Sequence, residues 1–227
     1  RQPMAHALNS PPDIDPDFVR IVTGPDSEIN LAEAALLIAR TEYPQLDIDY
    51  YLTFLDDMAT DIAAQLPGHC PTLQMLGQIN QYLFNEQGYC GNFHNFLDPR
   101  NSFLNDVLER KLGIPISLSL VYIEIGQRLG LAIEGISFPG HFLIKLPGAD
   151  GDIVLDPFVG GVSLDEPDLK RRLQHVNNGD IEQLMANLPE LLRPASNKAI
   201  LARILRNLKS IYSNSGDRLR MLRTLNY

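Results

Sequence analysis

Residues 113–131, GIPISLSLVYIEIGQRLGL, constrain the fold more than any other stretch. Pro115 suits the first position of a helix, where a missing N–H costs nothing, and Gly130 suits its end. Between them Ile114, Leu118, Val121, Ile125 and Leu129 form one apolar stripe, and Ile116, Leu120 and Ile123 form another. A helix that is apolar on nearly every side has no face to give to water, so the rest of the chain must wrap around it. Ser119 and Gly126 make a strip of small side chains on it, which predicts close packing against a sheet.

The material available for wrapping is helical before this segment and mixed after it. Residues 1–18 carry four prolines and no apolar period, and read as an extended or disordered arm. Residues 19–84 read as a helical region. Asn30 with Glu33 is a capping pair ahead of Leu31, Ala34, Ala35 and Ile38, and a second helix follows Asp47 or Asp49. A third helix is predicted from Thr72 to Phe84. The stretch NEQGYCGNFHNFLDPRNSF, residues 85–103, is too rich in Gly and Asn for regular structure. A short helix over 102–111, stopped by Gly113, follows it. Three strands, near 132–138, 142–146 and 152–156, are joined by short Pro/Gly turns and so predict an antiparallel sheet. Residues 85–195 thus form a mixed core, and 196–227 an αα-hairpin with the stripe Leu201, Ile204, Leu205, Leu208, Ile211. The fold class is α+β. The chain opens on Arg1 and stops partway along a helical stripe, which reads as a segment of a longer protein.

Charge narrows the function. The net −9 divides unevenly: residues 198–227 carry +6, leaving −15 elsewhere. An acidic body argues against nucleic acid as a partner, while the basic tail is free to meet acid on its own body or on a partner protein. Homodimerisation through the terminal stripe is open. No stretch approaches the ~20 apolar residues of a membrane span. Two cysteines, Cys70 and Cys90, are too few for a disulfide framework or a four-cysteine metal site, and a reducing cytoplasm is the expected compartment. No cofactor-binding motif is present. Cys90, His94 and Asp98 would align on a helix, but Gly91 and Pro99 break it, so no metal site is predicted.

One residue breaks the strand pattern. His141 opens the otherwise apolar run Phe142-Leu143-Ile144. Asp156 closes the next strand, and antiparallel neighbours can bring the two side chains together. A carboxylate beside an imidazole fixes its tautomer, as in catalytic triads. The plainer reading is a hairpin-edge His and an Asp capping the Asp156-Pro157 turn.

PRNSFLNDVLERKLGIPISLSLVYIEIGQRLGL, FPGHFLIKL and VLDPFVGG together resemble the bacterial SirB family of the transglutaminase-like superfamily. The resemblance implies a papain-like core, with a nucleophilic Cys opening a central helix and a His and an Asp on the following strands. It also implies a C-terminal run into tetratricopeptide-like helices. His141 and Asp156 fall on the His and Asp of that pattern. Gly113-Ile114-Pro115 falls on its Gly-x-Cys, so Pro115 occupies the nucleophile position. The expected function is therefore non-catalytic: binding or regulation in a cleft that keeps His141 and Asp156. The alternative is a hydrolase or acyltransferase whose nucleophile is Cys90, reaching in from its loop, or Ser117 or Ser119 on the helix.

Overall fold

The computed structural model describes residues 14–176 and 179–227. Most of the stretch read as an arm, residues 1–13, lies outside the described residues, but its end is already helical. Asp15 accepts a hydrogen bond from the Asp17 N–H and Pro16 takes the first helical position, so α1 runs Pro16–Thr23 and buries Phe18. The helix α2 (Leu31–Ala39) is capped by Asn30, whose Oδ1 accepts from the Glu33 N–H at 3.1 Å. Next come α3 (Ile48–Ala64, capped by Asp47) and α4 (Thr72–Asn80), which widens into a π-helical turn over Gln81–Glu86.

The irregular segment after α4 is pinned by a two-residue parallel pairing. Strand β1 (Cys90–Gly91) lies beside β2 (Leu112–Gly113), with a 3₁₀ turn (Pro99–Asn101) and α5 (Leu104–Arg110) between them. Gly113 does not end α5 as the spacing predicts. Lys111 does so in the left-handed conformation (φ 58°), and Gly113 packs under the next helix, where a Cβ would come 2.7 Å from Ser117 Oγ.

That next helix is α6 (Pro115–Arg128), buried from Ile116 through Gly126. Gly126 lets Ile133 sit against its backbone; a Cβ there would fall 2.3 Å from Ile133 Cδ1. Buried Glu124 accepts from the Ala32 N–H at 3.1 Å and pairs with Arg128 at 2.6 Å, tying α6 to the first turn of α2. On its other side α6 meets an antiparallel sheet of order β3 (Glu134–Ile136), β4 (Leu143–Leu146), β5 (Ile153–Asp156), β6 (Val162–Leu164). The fourth strand has no counterpart in the sequence reading. It is three residues at a sheet edge, reached through Gly160 and Gly161 at φ +75° and +71°.

The two-residue period of the strands splits the sheet's faces. Ile144, Leu146 and Leu155 join the main core around α6, whereas Ile136, Leu143 and Val154 meet Leu169 and Leu173 of α7 (Glu166–Val176) in a smaller core. The short α8 (Ile181–Ala186) and α9 (Leu188–Leu191) finish that layer. The C-terminal pair is α10 (Asn197–Ser215) and α11 (Arg218–Leu225), reversed at Gly216. Ile200, Leu201, Ile204, Leu208 and Tyr212 place α10 in the main core. The basic tail does meet its own body, because Arg220 grips both carboxylate oxygens of Glu42 at 2.7 Å.

Candidate functional site

Asp156 is the last residue of β5, and alternation turns it to the face that carries α7. Continuing the β4–β5 register by one residue sets it opposite Leu143, a diagonal step from His141. His141 itself lies in the turn before β4, where its N–H donates to the Phe138 carbonyl at 3.0 Å and Gly140 adopts φ +68°. The result is His141 Nε2 at 2.9 Å from Asp156 Oδ2, the carboxylate fully buried and the imidazole 18% exposed. Asp156 Oδ1 accepts from the Phe158 N–H at 3.0 Å. A residue the sequence gave no pattern for completes the group: Arg172 of α7 reaches the same Oδ2, with Nη1 at 2.5 Å and its side chain 27% exposed. Neither contact to Oδ2 meets hydrogen-bond geometry, so proximity, and for Arg172 opposite charge, joins the three groups.

Two further elements hold the dyad. Arg203 of α10 donates to the His141 carbonyl (3.1 Å) and to Ser137 Oγ (2.7 Å), with its guanidinium 5.7 Å from the centre of the Phe142 ring. The Phe158 ring stands edge-on to His141 at 5.8 Å. It presses on Gly91 so closely that a Cβ there would lie 2.4 Å from Phe158 Cε2. Gly91 pairs with Gly113, so this contact carries the site to the N-terminus of α6. Asn80 braces the loop after β5 by donating to the Gly161 carbonyl at 3.0 Å and accepting from the Tyr122 hydroxyl at 2.9 Å.

The candidate nucleophiles Cys90, Ser117 and Ser119 each sit in surroundings of their own. Cys90 is exposed, and its strand neighbour Gly91 faces Phe158, so alternation turns Cys90 to the opposite side. Ser117 is buried and fully engaged. Its Oγ donates to the Asn101 carbonyl (2.6 Å) and accepts from the Ile114 N–H (3.0 Å), which is a capping role. Ser119 is sealed in the core with no hydrogen-bond partner for its Oγ. Pro115 is the partly exposed residue of the first turn, while Ile116, Ser117 and Leu118 are buried. It brings neither a side-chain heteroatom nor a free N–H to that helix end.

The asparagines of the loop hold the loop. Asn92 Nδ2 donates to Asn101 Oδ1 (3.0 Å), the Asn95 N–H donates to Asn92 Oδ1 (3.0 Å), and Asn101 Nδ2 donates to the Asn95 carbonyl (2.8 Å). Asp98 grips Arg100 through Nε and Nη2 and lies 3.4 Å from Arg110. Burial pushes its carboxyl upward, but the Arg100 hydrogen bonds and the two guanidinium charges win and hold it below the usual carboxylate range. Among the described residues no three His, Cys, Asp or Glu side chains converge as metal ligands. None of the described helices is long and apolar enough to cross a membrane.

Comparison with known proteins agrees with this architecture. Residues 49–206 match the family described as the Transglutaminase-like superfamily. A UPF0162 protein of Xylella fastidiosa (strain 9a5c) is 43% identical over 195 residues, covering 86% of this chain and 69% of that protein. The UPF0162 protein PA3419 of Pseudomonas aeruginosa is 35% identical over 193 residues, covering 85% of this chain and 68% of its own. F-box only protein 21 of Mus musculus is 38% identical over 79 residues, 34% of this chain and 13% of that one. No solved structure matches the chain. A match that spans the buried helix, the sheet and the His141–Asp156 pair leaves one assignment: the chain belongs to the transglutaminase-like superfamily.

Proposed function

We propose that this protein is a non-catalytic member of its superfamily, which uses the surface around His141 and Asp156 for binding or regulation. The observation that carries the reading is the occupant of the α6 N-terminus. The accessible position of its first turn is Pro115, and the two serines behind it are buried. Nucleophilic catalysis needs a heteroatom within reach of the base. Here the base-like His141 has a carboxylate on one side, while Cys90 is exposed on its own strand, Ser117 is engaged in capping and Ser119 is sealed in the core. Arg172 also draws on the Asp156 charge that a triad would give entirely to its imidazole.

The test is turnover of activated acyl esters and of unstructured peptides by the wild-type protein and by His141→Ala. The reading expects no hydrolysis or acyl transfer above the His141→Ala background. Turnover that disappears in that variant would establish the alternative, a hydrolase or acyltransferase. A second reading, docking of a partner or a second copy through the C-terminal helices, is favoured by the exposure of Leu219, Leu222 and Leu225 along α11. If Leu219→Ser with Leu222→Ser leaves the oligomeric state unchanged, self-association through that stripe is ruled out.

A further inference from the structure

The helix α7 meets the dyad at two points. Arg172 Nη1 lies 2.5 Å from Asp156 Oδ2, the same oxygen that faces His141 Nε2 at 2.9 Å. One turn on, the Val176 side chain covers Gly140, the residue before His141; a Cβ on Gly140 would fall 2.4 Å from Val176 Cγ1. Between these contacts Leu169 and Leu173 seat α7 on Ile136, Phe138, Leu143 and Val154, a cluster separate from the main core around α6. A helix fixed by a minor core and one ion pair belongs to the part of a fold that opens first.

Asp156 of β5, Arg172 of α7 and Arg203 of α10 are the charged groups that the surrounding elements bring to His141 among the described residues, and Arg203 stands on its backbone carbonyl. His175, also on α7, is exposed. Asp156 favours a proton on the imidazole. Arg172 opposes it, because it is a cation near enough to touch the same oxygen and it neutralises the carboxylate that would hold the imidazolium. The opposition is mutual. If a seated Arg172 makes His141 harder to protonate, a proton on His141 makes Arg172 easier to unseat, by the same factor.

We propose that Arg172 is an acid-sensitive latch: with His141 neutral it holds α7 over Asp156, and protonation of His141 loosens α7 from the dyad and from the outer face of the sheet. The sign follows from the geometry. The seated state binds the proton less well than the released state, so the latch is closed above the midpoint of the released state and weakens as pH falls through it to the lower, seated midpoint. Histidine titrates in this range, about pH 5–8, without any other group being invoked. The proposal rests on the reading of the site as a binding or regulatory surface and names the element that regulates it.

The test follows the ring C–H resonance of His141, assigned by its loss in His141→Gln, against pH in wild type, Arg172→Met, Arg172→Lys and Arg171→Met. The midpoint should rise by about one pH unit or more in Arg172→Met and stay within about 0.3 unit of wild type in Arg172→Lys, which keeps the charge. Arg171 pairs with Asp168 instead, so Arg171→Met should leave the midpoint in place. Arg172→Gln carries the test if Arg172→Met does not fold. The second readout is amide exchange at Leu169 and Leu173 relative to Leu208 of α10, a ratio that cancels the intrinsic pH dependence of exchange. From about pH 7.5 to about pH 5.5 that ratio should rise about tenfold in wild type and in His175→Ala, and stay flat in His141→Gln. A midpoint unmoved in Arg172→Met, one that rises equally in Arg172→Lys or in Arg171→Met, or an exchange ratio indifferent to His141 would overturn the latch. His141-dependent turnover of acyl esters by Arg172→Met would instead break the non-catalytic reading and leave the latch standing as the control of an active site.

Discussion

Arg172 and Asp156 give the sharpest energetic prediction. Asp156 is fully buried and Arg172 about a quarter exposed, so the pair is intermediate between a surface ion pair and a core one. Breaking a fully buried pair from one side costs ~3–5 kcal/mol, because the partner is left charged and dry. Asp156→Asn keeps the acceptor for the Phe158 N–H but turns an amide N–H₂ toward Arg172 and His141, so its cost is about 3 kcal/mol. Arg172→Met leaves the carboxylate with His141 alone, and partial solvent access of the lost group reduces the cost to about 2 kcal/mol. The double variant no longer holds an orphaned charge. It should cost about 3.5 kcal/mol rather than the sum of the singles, a coupling of about 1.5 kcal/mol. The chain has no Trp, so urea unfolding followed by far-ultraviolet circular dichroism is the assay, with an unchanged denaturant slope as the check that the unfolded state is the same. If Arg172→Met falls within about 0.5 kcal/mol of wild type and the two changes add, the ion pair does not hold α7 to the sheet.

The remaining predictions use other parts of the site. Ser117→Ala removes the acceptor for a buried N–H and the donor to the Asn101 carbonyl, so it should cost about 1–3 kcal/mol in the same urea assay. Gly91→Ala places a Cβ inside the Phe158 ring contact and should cost about 1–3 kcal/mol, with the loss rescued by Phe158→Leu. Asp98 has a folded-state pKa below its unfolded value, so its contribution is complete above about pH 3.9 and fades as pH falls through the lower folded value. The stability gap between wild type and Asp98→Asn should therefore be widest near neutrality and shrink in acid.

The central helix was legible because capping and apolar coverage are local properties. Pro115 at its start, Gly130 past its end and two apolar stripes leave few alternatives. The His141–Asp156 approach was legible for a similar reason, since short turns fix the order and register of antiparallel neighbours. Arg172 was invisible because its position depends on where α7 docks across the sheet, and its sequence neighbourhood LKRRLQHV reads as a solvated helix face. The edge strand β6 escaped because three residues after two glycines carry no usable period. Cys90 looked capable of reaching the cleft because a loop of unknown shape can aim a side chain anywhere. The parallel bridge to Leu112 fixes which way it points, and it points out.

The claim that Pro115 stands in the nucleophile's place is open to one direct measurement. Alkylation rates near neutral pH, resolved site by site by mass spectrometry, would be compared in wild type, Pro115→Cys and Pro115→Cys with His141→Ala. A thiol at the N-terminus of α6 is favoured as thiolate by the helix end and by a neighbouring imidazole. The account predicts that the introduced thiol reacts about tenfold or more faster than Cys90 in the same molecule, and that it loses this advantage when His141 is removed. It predicts the same Cys90 rate in all three proteins. An introduced thiol no faster than Cys90, or a wild-type Cys90 whose reactivity rises and falls with His141, would contradict it.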